Sequence, residues 1–306
     1  MFPCRPLFLA QLNKFIISDW PMARYPYISD SGATCVAEGA NLVIGQYDYE
    51  TIHAIVDQTP ILHVSFNPVA PDESGDLFPT ILPMLGCTGP LEAPTPQKDA
   101  EAAPGSFPQD EPSLPDGPRV LYLHGYVSSR LMRLPNDSGA SKGTPICIAA
   151  SELNGVVLAL TPFHHSCNYR SAIIHGYATA VTEEGERSRA MELITDNIVA
   201  YRWNNSRVPP TKAELTSTGI LRVEIASASA KIRVGGPGDD RHDLKDPNVI
   251  GNIWTGVVPA FLQYGDPVAS NYNEVKKVPT YLTEWVKEEN TRNKKVAMDA
   301  IAAAKK

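Results

Sequence analysis

Apolar and polar residues alternate along much of the chain, which is the pattern of strands that bury one face. These segments are rich in Val, Ile, Leu and Tyr and are bounded by Gly, Pro, Asn and Asp. The segment "ELNG" at 152–155 predicts a hairpin turn between its two flanking strands. The predicted strands are 61–66, 77–85, 119–127, 144–151, 155–163, 169–181, 219–234 and 256–264.

Other segments show the wider spacing of apolar residues that indicates helices. Asp48 is the expected N-cap of the first helix, and Ser128 or Ser129 is the expected N-cap of the second. Acidic residues in the first turn of the third helix suit the helix dipole. The predicted helices are 47–57, one that starts within 128–134, 182–201 and 279–306.

The strands follow one another without regular β-α-β alternation, which favours antiparallel pairing in a closed or nearly closed barrel. We therefore predict a mainly β protein, a barrel with peripheral helices. Residues 1–45 form an unassigned N-terminal extension, 46–275 the barrel domain and 276–306 a C-terminal helix. Within the barrel domain, the proline-rich and acidic segment 91–117 has little to bury and is predicted to be a disordered loop insertion.

Composition narrows the class of protein. A formal net charge of −7 and a pI near 5.5 argue against nucleic acid or an anionic membrane as the main partner. The five cysteines are scattered, odd in number and never in a C-x-x-C pair, so we predict neither a disulfide framework nor a zinc knuckle. We expect a cytoplasmic protein without a transmembrane helix.

The segment "TPFHHSCNYRSAI" at 161–173 draws attention because it combines two histidines, a thiol and an arginine. If His164 and His165 lie in a strand, they point to opposite faces and cannot bind one ion. No H-E-x-x-H motif is present, so we predict no metal site. Neither Ser166 nor Cys167 has the sequence context of a catalytic nucleophile, and a buried structural cysteine is the more common case.

Basic and polar residues at strand ends and at a helix start are a better indication of a ligand. The segment "GGPGDD" lacks the G-K-[ST] of a phosphate loop and is interpreted as a turn. A helix start offers free N–H groups, and strand residues two apart share a face, so such pairs can bind a phosphate or a carboxylate. The pairs are Ser129 with Arg130, Asn168 with Arg170, and Lys231 with Arg233.

Five motifs occur in a fixed order: "YLHGYVSSRLMR", "LALTPFHHSCNYRSAIIHG", "YRWNNSRVPPTKAEL", "SASAKIRVGGPGDD" and "WTGVVP". Over about residues 46–275 the chain resembles the flavin-nucleotide-binding branch of the pyridoxamine 5′-phosphate oxidase-like superfamily, which includes nitroimidazole-resistance reductases. The resemblance implies an FMN-binding split β-barrel that forms a homodimer with FMN at the subunit interface. The chain departs from the usual pattern of that superfamily at two places: it has Cys167 where methionine is usual, and it lacks a basic segment before the first helix.

The resemblance also implies roles for individual residues. Ser129 and Arg130 would bind the cofactor phosphate, and His124 would lie near the flavin ring or the substrate as the catalytic residue. The other implied cofactor-binding residues are Asn168, Tyr169, Arg170, Ser171, Lys231, Arg233 and Trp254.

The leading hypothesis is an FMN-dependent oxidoreductase that acts on a small-molecule substrate of unknown identity, with NAD(P)H as one electron donor to test. One alternative is a flavin-binding or flavin-storage protein without turnover, because fold does not imply function. Another is a haem-binding split-barrel protein, and the residues that would serve it are His63, His124, His164 and His165.

Overall fold

The computed structural model describes residues 43–67, 78–91, 117–137 and 142–303, which form eight strands and six helices. The predicted extension at 1–45 and the predicted loop at 91–117 lie almost entirely outside these residues. The strands are β1 Val43–Gln46, β2 Leu62–Phe66, β3 Thr80–Pro90, β4 Arg119–Tyr126, β5 Thr144–Leu158, β6 Ser166–Ala180, β7 Thr218–Arg233 and β8 Gly256–Pro259. The helices are α1 Tyr49–Gln58, α2 Arg130–Asp137, α3 Glu184–Ile198, α4 Lys212–Ser217, α5 Pro247–Asn252 and α6 Thr280–Ala302.

Six strands close into an antiparallel barrel. The order around it is β7, β4, β3, β2, β5 and β6, and β6 pairs with β7 to complete the ring. The short strands β1 and β8 extend the sheet beside the C-terminal ends of β7 and β5. The prediction of a mainly β split-barrel with peripheral helices is confirmed.

Strand β5 corrects one prediction, because "ELNG" is not a hairpin turn. Residues on both sides of it belong to one strand that pairs with β6 without reversing direction. Glu152 pairs with Arg170 and Gly155 pairs with Asn168, and the extra residue Asn154 forms a β-bulge between them. Glycine in a strand can mark a bulge as well as a turn, and here the unbroken partner strand β6 selects the bulge.

Two more strand predictions were too long. The strand predicted at 155–163 ends at Leu158, and a 3-10 turn follows at Pro162–His164. The strand predicted at 256–264 ends at Pro259. Strand β5 ends at Leu158 because side chains accept the next two N–H groups: His165 Nδ1 accepts that of Ala159 at 2.9 Å, and Asp239 Oδ1 accepts that of Leu160 at 2.7 Å.

The barrel interior is filled by aliphatic side chains that are almost fully buried, including Leu123, Ile148, Ile174 and Leu221. Helix α1 adds Ile52, Ile55 and Val56 to this core. Asp48 caps the N-terminus of α1, because its side chain accepts the N–H of Thr51 at 2.8 Å. The predicted N-cap of this helix is therefore confirmed. A smaller apolar cluster packs α3 against β3 and β4.

Two helices mark the two ends of the barrel. Helix α2 lies where β4 ends and β7 begins, and its Met132 packs on Gly125 and Gly219 so closely that a β-carbon at either position would lie 2.8–3.2 Å from it. Helix α6 lies at the other end, where the Ala300 carbonyl accepts the N–H of Gly235 at 2.7 Å. Among the described residues, no helix has the length and apolar character that crossing a membrane requires.

Candidate functional site

One group of predicted site residues lies at the α2 end of the barrel. Strand β4 ends at Tyr126, whose carbonyl accepts the N–H of Ser129 at 2.8 Å, and α2 begins at the next residue, Arg130. The side chains of Arg130 and Arg133 are exposed, one turn apart on the helix. Within the described part of the chain, neither guanidinium has an ion-pair partner. As far as the described residues go, this end therefore offers free N–H groups and two cations without an ion-pair partner.

His124 is half-buried near the end of β4, between Leu85 of β3 and Ile220 of β7 in the strand register. Burial lowers the pKa of its imidazole below the ordinary value, because the charged form loses hydration. The side chain is therefore neutral at physiological pH, with one nitrogen that donates a hydrogen bond and one that accepts.

A second group of predicted residues lies at the opposite end, where β6 begins and β7 ends. Tyr169 pairs with Arg233, and Ser171 pairs with Lys231. The Lys231 ammonium lies 5.7 Å from the centroid of the Tyr169 ring, and the Ser171 hydroxyl donates to the Lys231 carbonyl at 3.2 Å. Lys231 is exposed and has no carboxylate partner among the described residues. Within the described ranges, its charge is therefore not neutralised by a carboxylate.

Asn168 and Arg233 are engaged with the protein itself. Their side chains are 0% and 4% exposed, and Arg233 Nη1 donates to Asn168 Oδ1 at 2.5 Å. Asn168 Nδ2 donates to the Gly235 carbonyl at 2.9 Å, and Arg233 Nη2 donates to the Gly236 carbonyl at 3.3 Å. These bonds fix the predicted turn after β7. The direct cofactor contacts expected of both residues stay predictions.

Arg170 and Trp254 lie apart from these groups. The Arg170 guanidinium forms an ion pair with Glu152 across the β5–β6 ladder and donates to Gln58 Oε1 at 3.0 Å. It thereby lines a cavity of about 360 Å³ that also contacts Asn154. Trp254 is 67% exposed just before β8. Asn154, Gln58 and Arg133 were missed from the sequence, and the turn interpretation of "ELNG" concealed the first of them.

The two groups are far apart within one subunit. His124 pairs with Ile220 of β7, whereas Ser171 pairs with Lys231, eleven residues farther along the same strand. At about 3.3 Å per residue, this corresponds to roughly 35 Å of extended strand. The fold therefore does not bring the predicted phosphate-binding residues and the predicted "NYRS" residues to one place in a single chain.

The histidine pair is placed differently from the prediction. His164 ends the 3-10 turn and His165 follows it, so the two are not adjacent strand residues. His165 Nδ1 accepts the N–H of Ala159 at 2.9 Å, and His164 Nε2 lies 3.9 Å from a carboxylate oxygen of Asp240. Over the described ranges, no group of three or more His, Cys, Asp or Glu side chains could hold a metal ion. These contacts give the pair a role in fixing the turn.

The comparisons with known proteins agree with this fold. A solved structure of the flavocytochrome Anf3 from Azotobacter vinelandii is 25% identical, with a TM-score of 0.56 over 79% of this chain and 91% of that chain. An FAD and haem binding protein from Mycobacterium smegmatis is 23% identical, with a TM-score of 0.58 over 79% of this chain and 96% of that chain. None of the curated proteins matches the chain.

The sequence also matches a family model, described as pyridoxamine 5′-phosphate oxidase, over residues 48–232. This range contains the six barrel strands except Arg233, the last residue of β7, and it includes every predicted site residue except Arg233 and Trp254. The match spans more than half of the 306 residues. The chain therefore belongs to the pyridoxamine 5′-phosphate oxidase family.

Proposed function

We propose that this protein is a flavin-binding oxidoreductase that uses FMN and acts as a homodimer. The observation that carries the proposal is the start of α2, where free helix N–H groups lie beside the guanidinium groups of Arg130 and Arg133, which have no ion-pair partner among the described residues. In a protein of net charge −7, a local cluster of basic groups indicates an anionic ligand, and a phosphate monoester suits this cluster.

The residues present fit a flavin nucleotide. Ser129 and Arg130 would bind the phosphate, and the neutral imidazole of His124 lies on the strand that leads into this helix. A bound flavin would supply the electron transfer, and the protein would fix its position and the charge around it. His124 would orient the ring or a small-molecule substrate through a hydrogen bond and could hold a proton there.

A homodimer would complete the site. Tyr169, Ser171 and Lys231 lie at the end of the barrel opposite α2, so one chain cannot place both groups on one flavin. In a two-fold dimer, the β6–β7 end of one subunit can meet the α2 end of its partner. We propose that each flavin is held in this way by two subunits.

Titration of the flavin-free protein with FMN tests the proposal. We expect one FMN per subunit, quenching of flavin fluorescence and a dimeric mass by light scattering. FAD is the matched comparison, because the relatives named above include an FAD and haem binding protein. The absence of binding by either flavin would refute the proposal, and tighter binding of FAD would change the cofactor but not the class.

Turnover separates an oxidoreductase from a flavin-storage protein. We expect the FMN-loaded protein to oxidise NADPH or NADH in the presence of a nitroaromatic or quinone acceptor. Binding of FMN without turnover across such a panel would favour storage. The three described cysteines Cys87, Cys147 and Cys167 are free thiols, and we propose a reducing, cytoplasmic location.

Haem binding is a second candidate function. The likeness to a flavocytochrome at 25% identity favours it, and a neutral imidazole such as that of His124 is the form that ligates iron. A haem titration that yields a Soret band lost in His124→Ala would support this function. A spectrum identical to that of free haem would exclude it.

A further inference from the structure

The strands β2, β5 and β6 lie side by side in the barrel, and each turns one face away from the core. Along β5 the inward side chains, such as Ile148, are buried, and the side chains between them are exposed or half-buried. The outward residues of β5 are Pro145, Cys147, Ala149 and Ser151.

The two neighbouring strands continue this surface. On one side, His63 and Ser65 of β2 point outward and pair with Ala149 and Cys147 of β5. On the other side, Cys147 pairs with His175 of β6. The outward residues of β6 are Ser171, Ile173, His175, Tyr177 and Thr179. The outward side chains of the three strands therefore form one surface, called here the β2–β5–β6 face.

None of these outward residues is Asp, Glu, Lys or Arg, although these four types make up 20% of the chain. The next strand, β7, shows the contrast, because it places Arg222, Glu224 and Lys231 beside β6. The outer face of an antiparallel sheet is normally polar where it meets water. Depletion of charged residues distinguishes the core of a protein interface from other surfaces. The β2–β5–β6 face therefore has the composition of an interface core, with charged residues of β7 at its rim.

A second copy of this chain is a partner that fits this face. An uncharged face can pack against its own copy without placing like charges together, as a two-fold contact requires. The face measures roughly 15 by 26 Å, from three strands about 4.8 Å apart and a rise of about 3.3 Å per residue along β6. This area of about 400 Å² is half of the roughly 800 Å² that a stable interface buries on each partner, and the barrel ends would supply the rest.

The two groups of predicted site residues select the direction of the two-fold axis. Ser171 pairs with Lys231 at one end of the face, and Thr179 lies at the other end, towards α2. An axis parallel to the strands would place each end beside the same end of the partner. An axis across the strands instead exchanges the ends, as a flavin shared by two subunits requires. Such an axis crosses β6 midway between Ser171 and Thr179, which is at His175.

We propose that two copies of this chain pack through the β2–β5–β6 face, about a two-fold axis that crosses the strands near His175. This inference rests on the shared flavin proposed above and identifies the surface that forms the dimer. His175 then lies close to its own copy in the partner, and Ser171 lies close to the partner's Thr179. Each flavin is held where an end of one barrel meets the opposite end of the other.

Light scattering of the full, flavin-free chain tests the face. We expect a dimer for the parent and a monomer for His175→Glu, because the dimer would bury two neighbouring carboxylates without a cation. The dissociation constant of the dimer should rise at least about hundredfold. Ser188→Glu is the matched control and should stay dimeric, since Ser188 is exposed on α3, which packs on β3 and β4. Circular dichroism checks that both variants are folded.

Cross-linking keeps the test decisive if His175→Glu does not fold. His175→Cys, in a chain that also carries Cys147→Ser to remove the neighbouring thiol, should give a covalent dimer with a short bis-maleimide. Ser188→Cys in the same Cys147→Ser chain is the control for the remaining cysteines and should give little covalent dimer.

The outcomes separate the face from the flavin. A parent dimer that persists in folded His175→Glu, or a His175→Cys chain that cross-links no more than the control, overturns the face and leaves the proposed function standing. A parent that is a monomer with and without FMN overturns both the face and the shared flavin. Binding of FMN by that monomer would still support a flavin-binding protein.

Discussion

The side chains of Arg233 and Asn168 form a buried pair that joins the end of β7 to the start of β6. The guanidinium donates to the amide oxygen at 2.5 Å, and the amide nitrogen donates to the Gly235 carbonyl at 2.9 Å. The pair thereby fixes the turn on which Gly235 bonds to the end of α6. Two residues expected to contact a cofactor thus also connect the barrel to the C-terminal helix.

We predict that Asn168→Ala destabilises the protein by about 2–3 kcal/mol, because the buried guanidinium of Arg233 loses its neutral acceptor. Urea unfolding measures the change. Ser171→Ala, on the same strand, should cost less than about 0.5 kcal/mol, since its hydroxyl makes one long bond. Equal stability of Asn168→Ala and the parent would contradict the structural role.

Arg130→Ala should weaken FMN binding by about 2 kcal/mol, or roughly thirtyfold, if its guanidinium pairs with the phosphate. Fluorescence titration measures the change. Lys277→Ala is the control, because Lys277 is also an exposed cation and lies in the segment before α6, outside both groups of predicted site residues. An unchanged FMN affinity would remove Arg130 from the site.

Mixing two variants tests whether one flavin is shared by two subunits. Arg130→Ala and Lys231→Ala should each bind FMN weakly, but random re-pairing of their subunits would restore about one quarter of the sites to the parental affinity. In each mixed dimer, one site carries both substitutions and the other carries neither. If each site belongs to one subunit, every site keeps one substitution and no parental affinity returns.

His124→Ala should leave FMN affinity within about threefold of the parent and reduce turnover at least about tenfold, because the residue would act on the ring or substrate and not on the phosphate. Steady-state kinetics with the FMN-loaded variant measures it. His63→Ala, an exposed histidine on β2, is the control and should keep parental turnover. Parental turnover in His124→Ala would assign that residue a packing role.

We predict that the titration of His53 causes part of the loss of folding stability in acid. Burial, the first cause, and the nearby Arg119 lower its pKa from 6.5 to about 4. The unfolded state therefore binds more protons than the folded state between these values, and stability is lost as the pH falls from 6.5 towards 4. This loss amounts to about 3 kcal/mol.

Glutamine does not titrate, so the stability of the His53→Gln variant should fall by about 3 kcal/mol less than that of the parent over the same pH interval. Urea unfolding at pH 7 and pH 4 makes the comparison. The same pH dependence in both proteins would show that His53 does not cause the loss.

Local sequence patterns were sufficient to predict most of the strands and helices. The alternation of apolar residues located the barrel strands, and the sequence around Asp48 predicted a cap that the structure confirms. The error at 152–155 is of another kind. A glycine after an asparagine is compatible with a hairpin and with a bulge, and only the partner strand β6, which runs past it without a break, distinguishes them.

Some properties of the candidate site could also be predicted from local sequence, and others could not. The ordered motifs identified the family, and the residue types at the start of α2 indicated an anion, because these properties belong to contiguous residues. The sequence by itself therefore determined the elements, the family and the chemistry available. Only the tertiary structure decided that the α2 group and the β6–β7 group lie at opposite ends of the barrel, and that Asn154 and Arg170 meet at a cavity. The physical reason is that strand register and closure bring together residues that are distant in sequence, and no local pattern encodes that register.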